Sequence, residues 1–205
     1  MKEIIFVGRS NVGKSTLIKA LTGKKLKIGR RPGVTRKPLQ IPYQNLMITD
    51  MPGFGFMSGI SDESMDAIKN NIVHYIEDNA ENIALAVMVV NARSFAEIVD
   101  RWAGRNEIPV EVELFEFLHE LDIGVVVAAN KIDKVEDVDK TLDGIAERLG
   151  MMPPWKQWLD MIVPVSAKKG EIRGLKEVLH RRMEGMQLQS QQKQPCRNKQ
   201  NLPNK

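Results

Sequence analysis

Short apolar runs alternate with amphipathic stretches along most of the chain, and this alternation sets the expected fold. Strands are predicted near 3–7, 38–42, 45–50, 83–90, 123–129 and 161–165, and helices near 14–22, 62–79, 110–121, 136–149 and 171–185. Strand and helix in regular succession imply an α/β fold, a mostly parallel six-stranded sheet covered by helices on both faces. The runs at 38–42 and 45–50 are too closely linked for a crossover, so they should form an antiparallel hairpin through Tyr43-Gln44. The stretch from Phe95 to Pro109 is long for a strand–helix connection and is expected to pack as an extra turn or lid. From Gln187 onward Gln, Lys, Asn and Pro dominate. The organisation expected is therefore one domain over 1–186 and a disordered basic tail over 187–205.

The chemistry sits at the ends of the predicted strands, where ligands collect in open α/β sheets. Directly behind the first strand, Gly8-Arg9-Ser10-Asn11-Val12-Gly13-Lys14-Ser15 spells G-x-x-x-x-G-K-S, and Thr16 opens the following helix. In that strand–loop–helix setting the two glycines let successive N–H groups turn toward phosphate oxygens. Lys14 brings an ammonium to the β/γ bridge, and the Ser15 hydroxyl is placed to ligate Mg²⁺. Glycine-rich turns also arise by chance, so the loop gains its meaning from three further segments along the chain. Asp50-Met51-Pro52-Gly53 ends the third apolar run and sets a carboxylate beside the loop, where a magnesium site needs one. Asn130-Lys131-Ile132-Asp133 and Ser166-Ala167-Lys168 close the fifth and sixth runs. Asp133 specifies the base: a carboxylate can accept from guanine N1–H and the 2-amino group, whereas adenine would leave it unpaired. The four segments in this order predict a Mg²⁺-dependent guanine-nucleotide site.

These motifs resemble the translation-factor-related GTPases. Within them, Gly8 to Leu17, then Arg31-Pro32-Gly33-Val34-Thr35, then Asp50-Met51-Pro52-Gly53-Phe54-Gly55-Phe56, resemble the EngB family, GTPases of ribosome assembly, over residues 2 to about 185. The resemblance implies a GTP-hydrolysing switch in assembly of the large ribosomal subunit. It implies that Gly33, Val34 and Thr35 meet the nucleotide from switch I, with Thr35 closing on Mg²⁺ and the γ-phosphate. The metal ligands would be Ser15, Thr35 and Asp50, and the Gly53 N–H would reach the γ-phosphate from switch II. Lys14, Thr35, Gly53 and Asn11 would serve catalysis. In related potassium-stimulated GTPases an asparagine at the position of Asn11 helps hold K⁺; the alternative is that Asn11 only tolerates an unusual backbone. Phe54 stands where signalling GTPases carry a water-orienting glutamine. It is read as a packing residue, which implies slow intrinsic hydrolysis. A non-hydrolysing GTP-dependent binding module and a membrane-linked signalling GTPase are the alternatives. The chain departs from the pattern at Asn91-Ala92-Arg93, where an aspartate is expected before the arginine.

Composition adds one feature. No acidic residue lies between Glu3 and Asp50, and seven basic residues, Lys24, Lys25, Lys27, Arg30, Arg31, Arg36 and Lys37, crowd the stretch carrying Thr35. The body from Asp50 to Met186 holds 15 basic and 25 acidic residues. Such segregation exceeds what a nucleotide needs and points to RNA, recognised by shape through its phosphates; the plainer reading is a solvated loop. Ribosomal RNA or a pre-ribosomal particle is thus the expected partner, met by a monomer through this stretch and the tail. Nothing is long and uncharged enough to cross a bilayer, no signal peptide precedes the first strand, and Cys196 stands alone in the tail, so a cytoplasmic protein is expected. His74, His119 and His180 are too scattered for a metal site, and Trp155 and Trp158 are expected to pack a loop onto the sheet.

Overall fold

The computed structural model describes residues 1–24, 37–54 and 62–192. Six strands, β1 (Glu3–Val7), β2 (Leu39–Tyr43), β3 (Leu46–Asp50), β4 (Ile83–Asn91), β5 (Val125–Asn130) and β6 (Ile162–Val165), form one sheet in the order β2-β3-β1-β4-β5-β6. All neighbours are parallel except β2 and β3, which pair antiparallel from Leu39↔Asp50 to Tyr43↔Leu46. The last pair of the hairpin is Tyr43↔Leu46, so the turn is Gln44-Asn45 and not the expected Tyr43-Gln44, with Gln44 left-handed at φ of 52°.

Helices α1 (Lys14–Thr22), α2 (Asp62–Asn79), α3 (Phe95–Ala103), α4 (Val110–Glu120), α5 (Val138–Arg148) and α6 (Arg173–Gln192) cover both faces. The strand period of two sorts the core into two layers. Ile4, Phe6, Leu85, Val87, Val89, Val126 and Ala128 pack with Leu17 and Ile18 of α1 and Leu175 and Val178 of α6. Ile5, Val7, Met88, Val90, Val127 and Ala129 pack with Ile72 and Ile76 of α2, Leu118 of α4 and Leu142 and Ile145 of α5. Eight of the nine residues of β4 are buried, so the strand reads as a continuous apolar run and not as an alternation.

The segment expected as an extra turn or lid is instead a helix. Phe95 and Val99 of α3 enter the core, and the Asp100 carboxylate receives Nε and a terminal nitrogen of Arg148 on α5 at 2.7 and 2.6 Å. Helix α5 begins later than expected because the Asp137 carboxylate caps it, accepting from Lys140 N at 3.0 Å. Helix α6 runs on to Gln192, beyond the expected boundary at 187; the remaining tail, 193–205, lies outside the described residues. Trp155 packs in a 3₁₀ turn, Trp155–Trp158, and donates from Nε1 to Asp139 at 2.9 Å, in line with the loop-packing expectation. His74, His119 and His180 lie on three different helices.

Candidate guanine-nucleotide site

Strand β1 delivers its chain end into a loop that only glycine could follow at two points. Gly8 has φ of 139°, and a Cβ there would lie 2.3 Å from the Val89 carbonyl oxygen; Gly13 has φ of 103°, and its Cβ would lie 2.3 Å from Asn130 Nδ2. Between them Asn11 is left-handed at φ of 63°, a conformation that asparagine tolerates better than most residues. The turn therefore closes tightly enough for Gly13 O to accept the first helical bond of α1, from Leu17 N at 2.9 Å. Thr16 is half-buried in that first turn and Val12 is buried beneath the loop.

Two charges are stored under this loop. Lys14 is buried and donates from Nζ to the carbonyls of Gly8 at 2.7 Å and Arg9 at 3.1 Å. Burial pushes its pKa down to about 8, against the opposing pull of Asp50. Asp50 ends β3 opposite Phe6 and is itself buried; burial pushes its carboxyl up, while the Ser15 hydroxyl and Lys14 act the other way. Ser15 Oγ donates to Asp50 Oδ2 at 2.5 Å, and Asp50 Oδ1 is buried with no hydrogen-bond partner. A hydroxyl and an under-satisfied carboxylate oxygen side by side are a donor set that suits a hard divalent cation. Among the described residues no three His, Cys, Asp or Glu side chains cluster as metal ligands. Magnesium would not require such a cluster, because it keeps several waters and takes one or two protein oxygens beside phosphates.

The third motif binds the loops together. Asn130, at the end of β5 and 2% exposed, donates from Nδ2 to Val12 O at 2.8 Å and accepts at Oδ1 from Ala167 N at 3.0 Å. Lys131 is left-handed, with φ of 65°, and reaches from Nζ to Asn11 O at 2.9 Å. Asp133 Oδ1 accepts from Ser166 Oγ at 2.7 Å, and Lys169 Nζ stands 3.9 Å from Oδ2. The Ser166 hydroxyl foremost, then Lys169, hold the Asp133 carboxyl below the ordinary range, so it is fixed as an anion with acceptor capacity to spare. Ser166 is buried, and Lys168 is exposed beside it.

The segment that follows Asp50 lies against the loop. Ser10 N donates to Phe54 O at 2.9 Å, Arg9 and Phe54 pair as an isolated parallel bridge, and a Cβ on Gly53 would come within 2.7 Å of Ser10 Oγ. The Phe54 side chain is 4% exposed in the same core layer as Met51 and Ile72, which is the packing role expected of it. The structure thus brings together Gly8 to Thr16, Asp50, Gly53, Asn130, Lys131, Asp133 and Ser166 to Lys168. Gly33, Val34 and Thr35 fall outside the described residues, with Lys25, Lys27, Arg30, Arg31 and Arg36.

Three features of the site lie outside the four motifs, and only one of them, Asn91, is marked in the sequence. Lys169 flanks Asp133 although the motif stops at Lys168, and only its adjacency could have suggested it. Asn91, at the departure from the expected aspartate, keeps a buried Oδ1 without a partner. The Arg9 guanidinium is committed to Glu111 on α4, a contact across 102 positions that no local pattern announces.

With this geometry in view, comparison with known proteins is decisive at the family level. Residues 3–131 match the family model described as 50S ribosome-binding GTPase. A probable GTP-binding protein EngB of Methanosarcina barkeri is 52% identical over 186 residues, 90% of this chain and 89% of the relative. The crystal structure of a probable GTP-binding protein engB superposes with a TM-score of 0.82 at 48% identity, covering 89% of this chain and 99% of that one. Era in complex with MgGDPNP and nucleotides 1506–1542 of 16S ribosomal RNA is more distant, with 25% identity and a TM-score of 0.61 over 87% of this chain and 54% of that one. The fold is therefore that of a P-loop GTPase domain, and the chain belongs to the EngB family of GTP-binding proteins.

Proposed function

We propose that the protein hydrolyses GTP to GDP and phosphate in a Mg²⁺-dependent cycle, and that the cycle times a step in assembly of the large ribosomal subunit in the cytoplasm. The observation that carries the nucleotide half is the Asn130 clamp, which joins the phosphate loop to the Asp133–Ser166 pair, so that phosphate and base readers form one unit. The family's description as 50S ribosome-binding supports the large subunit, and the charge segregation of the chain, with the 16S ribosomal RNA in the Era complex, supports contact with RNA. Among the described residues no helix is long and apolar enough to cross a membrane.

In this reading the loop N–H groups from Asn11 to Thr16 hold the β-phosphate, and Lys14 leaves its carbonyl partners for the β/γ bridge. Ser15, Asp50 and Thr35 would hold Mg²⁺, which when bound neutralises charge developing on the phosphate oxygens. Thr35 with Gly33 and Val34 closes switch I, and the Gly53 N–H supports the γ-phosphate from switch II. Water attacks in line, without help from a side chain at position 54. Asp133 reads guanine, with Ala167 and Lys168 lining the base and Lys131 along its face. Asn11 is the candidate K⁺ holder. The protein acts as a monomer and meets ribosomal RNA through Lys24 to Lys37 and the basic tail.

Base selection gives the most direct test of the site. Asp133→Asn should lose GTP affinity by about 10²-fold or more and gain xanthosine triphosphate, whose 2-oxo group accepts where guanine donates. Competition against labelled GDP measures both, and displacement by ATP at concentrations similar to GTP would rule the guanine assignment out.

The buried lysine predicts a pH signature. Between about 8 and the ordinary 10.5 the unfolded chain keeps a proton that the folded, nucleotide-free protein has released at Lys14. Stability of the nucleotide-free protein should therefore rise as pH climbs through that window, and phosphates, by restoring the charge, should make GDP binding take up a proton. Calorimetry above about pH 8 in buffers of different ionisation heat detects the uptake; its absence would mean that Lys14 is already charged before the ligand arrives.

Hydrolysis by the isolated protein should be slow, and faster in K⁺ than in Na⁺. Asn11→Gly, which keeps the left-handed backbone at φ of 63° but lacks the amide, should erase the difference. Equal rates in the two salts would leave Asn11 with its backbone role alone.

The ribosomal half predicts nucleotide-dependent co-sedimentation with large-subunit particles, stronger with a non-hydrolysable GTP analogue than with GDP and falling steeply with salt. Removing one cation that neutralises an RNA phosphate should reduce the log–log salt slope by somewhat less than about one unit. Arg30→Ala with Arg31→Ala should weaken binding and flatten that slope while sparing GDP affinity; unchanged binding at every salt concentration would return the basic stretch to a solvated surface.

A further inference from the structure

Arg9 is the second residue of the phosphate-binding loop, yet its side chain is spent on a distant helix. Its guanidinium donates from Nε to Glu111 Oε1 at 2.5 Å and from a terminal nitrogen to Oε2 at 3.1 Å, a bidentate fork. The Arg9 and Glu111 side chains are 14% and 5% exposed, and Glu111 stands in the first turn of α4. Such a pair is weak evidence of a stability device, since apolar residues of similar volume often serve as well or better. By contrast, the nearby Lys69–Glu113 pair between α2 and α4 is 39% and 52% exposed and contributes little to holding anything.

The backbone of Arg9 gives the pair another meaning. Its carbonyl accepts from Lys14 Nζ at 3.1 Å, it bridges to Phe54, and the next N–H, of Ser10, donates to Phe54 O. One residue thus meets α4 through its side chain, and the phosphate lysine and the start of switch II through its main chain. On this flank the loop borders a cavity of about 160 Å³, lined by Ser10, Asn11, Asn91, Ser94, Lys131 and the ion pair itself. The other contacts of the loop on this flank, from Lys131 Nζ to Asn11 O and from Ser10 N to Phe54 O, reach its backbone, and the fork to Glu111 is the one that ties a side chain of its outer turn to α4.

We infer that the Arg9–Glu111 pair is a positioning brace for the phosphate-binding loop, which holds its outer turn from α4 and thereby slows the release of guanine nucleotide. Arginine is required because a lysine cannot make the two-toothed contact. The inference rests on the guanine-nucleotide reading above and adds to it a residue pair whose role is mechanical.

The test uses the full chain and a fluorescent N-methylanthraniloyl derivative of GDP, with release followed after a chase of unlabelled GDP and thermal melting measured alongside. Three variants are compared: Arg9→Lys, Glu111→Gln, and Arg9→Met combined with Glu111→Leu. Release should quicken by about tenfold in all three, because lost support of a binding surface shows mainly in the dissociation rate. The apolar double variant should nevertheless melt within about 4 °C of the unmutated protein. Normal melting and normal release in the double variant would overturn the brace, as would quickened release confined to variants that lose melting temperature. If the double variant fails to fold, Arg9→Lys decides, because it keeps both charges and loses only the fork: unchanged release there would equally overturn the brace. Failure of the unmutated protein to bind the GDP derivative would instead overturn the nucleotide reading, and the brace with it.

Discussion

The side-chain amide of Asn130 is the group on which the candidate site depends. It is 2% exposed and divides its two ends between Val12 O and Ala167 N, so one planar group sets the spacing between the loop after β1 and the loop after β6. These loops are separated by two strands in the sheet order, β4 and β5, and no backbone ladder connects them. A donor and an acceptor are both needed, and the amide must sit at a strand end, which β5 supplies by pairing Asn130 with Asn91 and Val165. Aspartate would lack the donor and leave Val12 O unpaired, at a cost of about 1–3 kcal/mol for an unsatisfied buried group. The same amide stands 2.3 Å from where a Cβ on Gly13 would lie, so the clamp also explains why that position must be glycine.

The fold and the outline of the site were legible in the sequence, for local reasons. Apolar runs of strand length end in Gly8, Asp50, Asn130 and Ser166, and a parallel sheet gathers such ends at one edge. The features hidden from the sequence are non-local. Helix α3 reads as a connection because its first residue, Phe95, follows the strand so closely, and only tertiary packing of Phe95 and Val99 shows it to be part of the core. Helix α6 outlasts its expected end because Gln and Ser, which carry no apolar signal, continue a helix already begun at Arg173. The Arg9–Glu111 contact spans the full width from loop to α4, and a lone glutamate in a helix first turn has an ordinary explanation in the helix dipole.

Burying ionisable groups without their ligand is costly, and here the cost is concentrated beneath the loop. Lys14 and Asp50 are both buried, and burial acts on each toward the neutral form. Asp50 Oδ1 has no partner, while Lys14 is held by carbonyls of its own loop, acceptors that it could exchange for phosphate oxygens. A sequence shaped for stability alone would replace these charges with apolar residues of similar size. Their retention marks the place where a highly charged ligand would relieve an electrostatic penalty built into the fold, which is the expected trade between stability and function.

Apolar neighbours then determine where the polar groups point. Met51 and Phe54, both buried in the layer formed with α2, bracket Pro52 and Gly53 and anchor the chain on either side of them. The Met51 N–H donates to Phe6 O and the Ser10 N–H to Phe54 O, so the pairing of β1 with β3 continues past the end of the regular sheet. Asp50 is consequently held against Ser15, and Gly53 against Ser10, by residues that carry no chemistry themselves. Phenylalanine at position 54 is thus accounted for by packing: a glutamine there would need a hydrogen-bond partner in a layer that offers mainly aliphatic side chains. Phe54 is thereby committed to the core, and its side chain has no polar atom with which to orient a water.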